Sequence, residues 1–254
     1  MPLSIQDWHN RFMIQAQWTR ALRLYFFELL SNSPFEKILD IGCGTGALLP
    51  DLQSLSPAEI YGGDILEEHL LQAQHSCPDC SLLGADVHQL PFPDRTFDMV
   101  LSHYFLMWVG NPAHALKEMI RITKQGGYLV AFAEPDYGGR IDFPPEFIKL
   151  RDYQISGLLN AGADPRMGRK LKDLFHSSGL TAIQTGVYEG RWNQAPSPEE
   201  IDSEWLVLED DLRGILSPTE LRELKKHDKA SRDNGSRLIF VPTFYTWGKV
   251  SSNT

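Results

Sequence analysis

Lys37-Ile38-Leu39-Asp40-Ile41-Gly42-Cys43-Gly44-Thr45-Gly46-Ala47-Leu48-Leu49 decides how the rest of the chain is read. It begins as a short apolar run, Ile38-Leu39-Asp40-Ile41, of strand length; glycines then alternate with other residues, and a helix-compatible run follows. A buried strand, a tight glycine-rich turn and a helix start form the opening unit of a doubly wound α/β sheet. The glycines allow a sharp bend and let the backbone approach a ligand with no Cβ in the way. The helix start beyond them offers unpaired N–H groups.

Two ligand classes use such a turn. Gly42-x-Gly44-x-x-Ala47 satisfies the loose dinucleotide fingerprint, which permits Ala at its last position. Three neighbouring features point elsewhere. Asp40, at the end of the strand, would repel a pyrophosphate but suits a ligand amine or sulfonium. Gly46 makes the spacing Gly-x-Gly-x-Gly. The next strand, Ile60-Tyr61-Gly62-Gly63-Asp64-Ile65, ends in an acid placed for ribose hydroxyls. In Asp40-x-Gly42-x-Gly44-x-Gly46 followed by Asp64, the chain resembles the class I S-adenosylmethionine-dependent methyltransferases. The resemblance covers residues 36–133 and leaves the substrate-facing parts uncovered.

That resemblance implies a seven-stranded, mostly parallel, Rossmann-like sheet with helices on both faces, its last strand inserted antiparallel between two others. It divides a single domain, 1–254, into an N-terminal helical cap (1–34), a cofactor-binding core (35–135) and substrate-side helical insertions (136–170 and 194–235). It implies S-adenosyl-L-methionine as cofactor. Asp40, Gly42, Cys43, Gly44 and Gly46 would surround the methionine part, and Asp64 would take the ribose. Ile65, Asp86 and Val87 would hold the adenine. Ser102, through its carbonyl, and His103 would complete the site. N-terminal helices of the family often cover the cleft, which would bring Arg11, Gln15, Gln17 or Trp18 near the methionine end.

Composition sets bounds. The chain has 254 residues, 42% hydrophobic and 22% charged, as expected of a globular protein. A net charge of −9 and a pI near 5.4 disfavour non-specific binding to nucleic acid or an anionic membrane. The sequence shows no membrane-spanning run and no leading signal segment, so a cytoplasmic location is expected. Of three cysteines, Cys43 lies in the glycine turn, and Cys77-Pro78-Asp79-Cys80 is a lone C-x-x-C. Without two further ligands at a zinc spacing it reads as a surface loop with incidental thiols, and no metal site is expected.

The remaining chain continues the alternation. Asp7 to Leu30 is amphipathic, one helix or two, with Asp7 as a plausible N-cap and Ser31-Asn32-Ser33-Pro34 as its end. It reads as a packing helix that would also cover the cleft. Strands are expected over 59–65, 81–87, 99–102 and 128–133, with helices over 47–55, 67–74 and 112–123. Lys124-Gln125-Gly126-Gly127 reads as a turn. The polar and aromatic loop Glu134–Asp142 emerges from the functional end of a strand. Its Tyr137, Arg140 and two acids suggest a substrate wall, with structural ion pairing as the alternative. Helices over 145–159 and 169–178, a strand over 180–192, a polar helical stretch over 196–229 and a final strand over 236–250 complete the reading.

Methyl transfer from a sulfonium is an in-line displacement, so positioning and desolvation matter most, and a base is needed only for a protonated acceptor. The candidate catalytic residues are His103 and its neighbour Tyr104, after the fourth strand, and Tyr137. His9 and Asp136 are weaker candidates. Trp108, Phe105 and Tyr137 offer an apolar or cation-binding wall. His103-Tyr104 stands where Asn-Pro-Pro-Tyr would mark methylation of base amino groups, so the expected acceptor is a small molecule. An NAD(P)-binding oxidoreductase and a non-catalytic S-adenosylmethionine-binding module remain the alternatives, and oligomeric state is not legible.

Overall fold

Strand β1 (Lys37–Ile41) sends Leu39 and Ile41 into one apolar cluster and Ile38 into another. Strand β5 (Thr123–Pro135) divides in the same way: Leu129 and Ala131 join the first cluster, and Tyr128, Val130 and Phe132 the second. Both faces of these strands are covered, which is why they read as nearly continuous apolar runs. The computed structural model describes residues 3–31, 33, 35–188 and 195–251.

The other strands are β2 (Glu59–Asp64), β3 (Ser81–Gly84), β4 (Phe97–Ser102), β6 (Ile141–Phe143), β7 (Thr181–Val187), β8 (Leu238–Phe240) and β9 (Thr243–Lys249). Seven of them form one sheet in the order β3-β2-β1-β4-β5-β9-β7. The pairs from β3 to β5 are parallel, and β9 runs antiparallel to both neighbours. Helices α5 (Pro112–Ile122) and α7 (Met167–Ser177) cover the first cluster. On the other face pack α2 (Arg20–Leu29), α3 (Leu49–Leu55) and α4 (Glu67–Ser76). Phe26 of α2 is fully buried, edge-on to Phe132 and Trp247 at centroid distances of 5.4 and 5.1 Å. Burying such a side chain contributes about 1.5–3 kcal/mol.

Several boundaries differ from the sequence reading. The N-terminal segment is two helices, α1 (Ile5–Trp18) and α2, separated at Thr19. Ser4, not Asp7, is the N-cap: its hydroxyl accepts from the Asp7 amide while the Asp7 carboxylate takes the Ser4 amide, a reciprocal pair that the apolar spacing could not indicate. The expected turn at 124–127 lies inside β5, where pairing shifts from Phe97↔Thr123 to Met99↔Tyr128, a bulge. Strand β3 stops at Gly84, short of Asp86. The final strand is two, because Pro242 lies between β8 and β9 and they pair in different sheets. Cys77 and Cys80 are bonded to each other and buried, so they are not exposed incidental thiols. Of the proposed helix end and sixth strand, Asn32, Pro34 and 189–192 lie outside the described residues.

The segments after β5 and β7 build a smaller layer. Strands β6 and β8 form an antiparallel ribbon, and α6 (Leu150–Asn160), α8 (Pro198–Asp211) and α9 (Pro218–Asp233) accompany it. Ser197 and Ser217 cap α8 and α9 through capping boxes with Glu200 and Glu220. Phe147, Leu150, Trp205, Leu208 and Leu212 form their own small core.

Candidate functional site

Strand order reverses between β1 and β4: β2 and β3 lie to one side of β1, and β4 and β5 to the other. In open α/β sheets a crevice forms at this switch, outside the carboxyl ends of the strands. Asp40 lies near the end of β1 and Ser102 at the end of β4. Asp40 is 2% exposed and its Oδ1 has no hydrogen-bond partner. Ser102 is fully buried and its Oγ is likewise unpartnered. Burial raises the Asp40 carboxyl to about 8; Asp64 adds to the rise, and the Arg23 guanidinium opposes it. Buried polar groups without partners are costly, so a ligand that supplied partners would be favoured in this crevice.

The glycine turn forms the floor. The amides of Gly42 and Cys43 both donate to the Gly63 carbonyl, at 2.7 and 3.1 Å. Gly42 and Gly46 have φ of +72° and +80°. A Cβ on Gly42 would collide with the Phe105 ring, and one on Gly46 would lie 2.9 Å from Cα of Ala73. Both positions therefore need glycine on backbone and packing grounds together. Asp64 Oδ2 accepts from the Gly44 amide at 2.8 Å, and Oδ1 from Leu66 at 2.9 Å. Burial alone would raise this carboxyl, but His69 and the two amides outweigh it and hold it below its ordinary value. Asp64 is thus an ionised anchor of the turn as well as a ligand candidate.

The three strand-end acids divide. Asp40 and Asp64 are close enough to influence each other electrostatically. Asp86 sits farther along the same edge, after β3, exposed and bonded to His88 Nδ1 at 2.8 Å. Beside it the edge offers Ile65, 70% exposed despite its apolar side chain, and buried Val87. Cys43 requires a correction. Its thiol packs into the core beneath the turn, with α3, and burial keeps it protonated, so its side chain does not line the crevice. The sequence placed it in the turn, but only the backbone path decides which way it points.

Helices α1 and α2 lie across the turn. His9 Nδ1 is 2.9 Å from Thr45 Oγ1, and Phe12 rests against Gly44. Thr19 Oγ1 is 2.8 Å from His103 Nε2, and Trp18 Nε1 donates to Glu200 Oε1 of α8 at 2.8 Å. The N-terminal helices therefore pack and cover together. The Gln15 carbonyl accepts from the Thr19 hydroxyl at 3.2 Å. Arg23 is buried, and each of its three nitrogens has a partner: Asp51, Thr19 and the Ala16 carbonyl.

His103 is held neutral: burial, reinforced by Arg23, pushes its pKa well below the usual value. Its T-shaped neighbour Tyr104, at 4.8 Å between centroids, has φ of +52° and a phenol whose pKa burial raises. Burial raises the Tyr137 phenol as well. Both are neutral O–H groups at neutral pH. Sequence reading missed Glu134. It is fully buried, and its carboxylate accepts from the amides of Phe105, Leu106 and Met107 at 2.9, 2.6 and 3.0 Å. Burial raises it to about 7, against the pull of those amides. It fixes the loop that carries His103 and Tyr104, and the signal was another acid at a strand end.

The expected substrate wall around Arg140 resolves into ion pairing. Arg140 Nε binds Asp142 at 2.6 Å, and Asp136 binds Arg169 at 2.6 Å. Both carboxylates are buried, and the pairs fix the loop. Asp136 is thereby removed from the candidate bases. Trp108 is 47% exposed, and the Phe105 ring packs on Gly42. Among the described residues no group of three or more His, Cys, Asp or Glu is placed to hold a metal, and no helix is long and apolar enough to cross a membrane.

With this geometry fixed, comparison with known proteins is direct. A family model described as "Methyltransferase domain" matches residues 39–131. A demethylmenaquinone methyltransferase of Lysinibacillus sphaericus is 30% identical over 179 residues, covering 63% of this chain and 76% of that protein. An uncharacterized methyltransferase of Schizosaccharomyces pombe is 32% identical over 150 residues, 54% of each chain. The chain spans about half the length of the curated relatives it matches, the Lysinibacillus protein being covered further. A solved Bacillus subtilis protein superposes with a TM-score of 0.59 at 17% identity, covering 92% of this chain and 99% of that one, a likeness of fold.

Proposed function

The chain belongs to the class I S-adenosylmethionine-dependent methyltransferases, and from that premise we propose that it transfers a methyl group from S-adenosyl-L-methionine to a small-molecule acceptor by in-line displacement. The observation that carries the reading is the buried, unpartnered Asp40 carboxylate oxygen at the switch point, beside a glycine turn. A ligand cation or ammonium donor would satisfy it and favour its ionised form, whereas a pyrophosphate would meet repulsion from that form. That same contrast disfavours the dinucleotide alternative.

When bound, S-adenosylmethionine supplies a methyl group already activated on a sulfonium. The chain's own residues then bind, orient and dehydrate. Asp40 and the glycine turn, Gly42, Gly44 and Gly46, hold the amino-acid end, with Ser102 beside them. Asp64, already ionised, accepts ribose hydroxyls. Ile65, Val87 and Asp86 receive the adenine ring. Helix α1 closes over the turn through His9 and Phe12 and excludes water. His103, neutral and tethered to Thr19, links the lid to the end of β4 and acts by position; its depressed basicity suits it poorly to proton removal. Tyr104 and Tyr137 stand beyond it as hydrogen-bond donors. The acidic net charge and a relative named for demethylmenaquinone support a small-molecule acceptor over nucleic acid. A cytoplasmic site of action belongs to the same reading.

Calorimetric titration with S-adenosylhomocysteine and, separately, NAD tests the cofactor: saturable binding of the first alone is expected, and binding of NAD alone would reverse the assignment. Incubation with methyl-labelled donor and an acceptor panel tests transfer against the alternative of a binding module that never turns over.

A further inference from the structure

Among the described residues, Arg11 of α1 is a cation with unanswered donors beside the assembled site. Its Nε and Nη1 are buried without a hydrogen-bond partner. Its guanidinium lies over the Trp18 ring at 4.8 Å from the centroid, and Trp18 is itself fixed to α8 through Glu200. Stacking holds the guanidinium plane, so its donors are preset. Two buried nitrogens with idle donors are costly to the fold unless something answers them.

The surroundings say what answers it. Arg11's charge bears on Tyr104, Tyr137 and Asp211, which come from the loop after β4, the turn after β5 and the end of α8. Asp40, at the methionine end, feels Arg23 and Asp64 instead. With Trp18 beneath it bonded to α8, Arg11 lies on the Tyr104 and Tyr137 side of the crevice, which the proposed function gives to the acceptor. Asp211 does not occupy its donors: the Asp211 carboxylate takes its hydrogen bond from Gln154 at 2.8 Å. Two neutral phenols, one of them hydrogen-bonded to Thr243, an indole beneath the guanidinium and two unfilled N–H donors match one chemistry, an oxyanion on a molecule with an apolar or aromatic body.

We infer that Arg11 holds a carboxylate or phosphate group of the methyl acceptor, so that this chain selects small anionic acceptors. The inference rests on the proposed function, since it needs an acceptor site, but its test reads binding alone. The protein saturated with S-adenosylhomocysteine is titrated with benzoate, phenyl phosphate and the neutral benzyl alcohol, following Trp fluorescence and heat. Saturable binding of at least one anion, ten-fold or more tighter than benzyl alcohol, is expected. Arg11→Met should lose that preference at least ten-fold while its affinity for S-adenosylhomocysteine and for benzyl alcohol is kept; Arg11→Lys should recover part of it. Equal binding of anionic and neutral probes, or no saturable anion binding, overturns the inference. So does an Arg11→Met that loses S-adenosylhomocysteine affinity, which would give Arg11 to the donor's carboxylate. An Arg11→Met that merely melts earlier, with unchanged probe preference, would make it a structural partner of Asp211. Failure of the wild type to bind S-adenosylhomocysteine would instead sink the proposed function.

Discussion

The switch point between β1 and β4 and the layer around the β6–β8 ribbon both bury charge, and they treat it in opposite ways. At the ribbon, the buried carboxylates of Asp142 and Asp228 are answered by arginines from within the chain. Asp142 takes Arg140 and Arg237 at 2.6 and 2.8 Å, and Asp228 takes Arg237 and Arg232 at 2.6 and 2.7 Å. Trp205 Nε1 adds a hydrogen bond to Asp228 at 2.8 Å. At the switch point, Asp40 and Ser102 keep atoms idle. A satisfied network fixes a shape; an unsatisfied one reserves affinity for something not yet bound. The polar loop that the sequence offered as a substrate wall is of the first kind, and Asp40 with Ser102, beside the glycine turn, is of the second.

The contrast can be broken most forcefully at the ribbon. Asp142→Ala would leave Arg140 with no carboxylate partner and Arg237 with Asp228 alone, so folding stability in urea should fall by about 3–5 kcal/mol. A loss under 1 kcal/mol, as at an ordinary surface pair, would mean the network is not the support of this layer.

At the switch point the expected signs differ. Asp40→Asn should weaken S-adenosylhomocysteine binding by about 1.5–3 kcal/mol, as for a charged hydrogen bond, without destabilising the fold. The Asp40 pKa rises from 3.8 to about 8 on folding, so the folded chain keeps a proton that the unfolded chain releases. That contribution is complete below pH ~4 and is lost as pH rises towards ~8. Wild-type stability relative to Asp40→Asn should therefore decline across this window, while wild-type affinity for the ligand rises. A flat difference in denaturation midpoints from pH 4 to 8 would remove Asp40 as the reserved charge.

Asp64 has both characters, answering two amides and remaining available to a ligand. Asp64→Ala should cost about 1–3 kcal/mol in S-adenosylhomocysteine affinity, the penalty for groups left unpaired. Unchanged affinity would leave it a turn anchor only. The smallest effect is expected at His103. As a neutral tether to Thr19, its replacement by Ala should lower kcat and donor kcat/KM together, less than about ten-fold, well short of the 10²–10⁴ range of a general base. A selective collapse of kcat with a shifted pH profile would restore it as a base.

The doubly wound core was legible because strand-length apolar runs, glycines and strand-end acids repeat at fixed order, and such runs require a sheet buried on both faces. Asp40, Asp64 and the glycine turn followed from the same punctuation. Glu134 carried the same signal, an acid at a strand end, yet its three amide partners lie 27–29 residues away in sequence and gave no local mark. The inward turn of the Cys43 thiol and the Cys77–Cys80 bond depend on which backbone passes beside them.

The sequence by itself determined the alternation of strands and helices, the position of the glycine turn and the acids on its rim, because these rest on spacing along the chain. Only the tertiary structure decided which polar groups find partners: it closed Arg140 and Asp142 upon each other and left Asp40 and Arg11 with open valences. Satisfaction of a buried charge is a property of three-dimensional neighbours, and no local pattern encodes it.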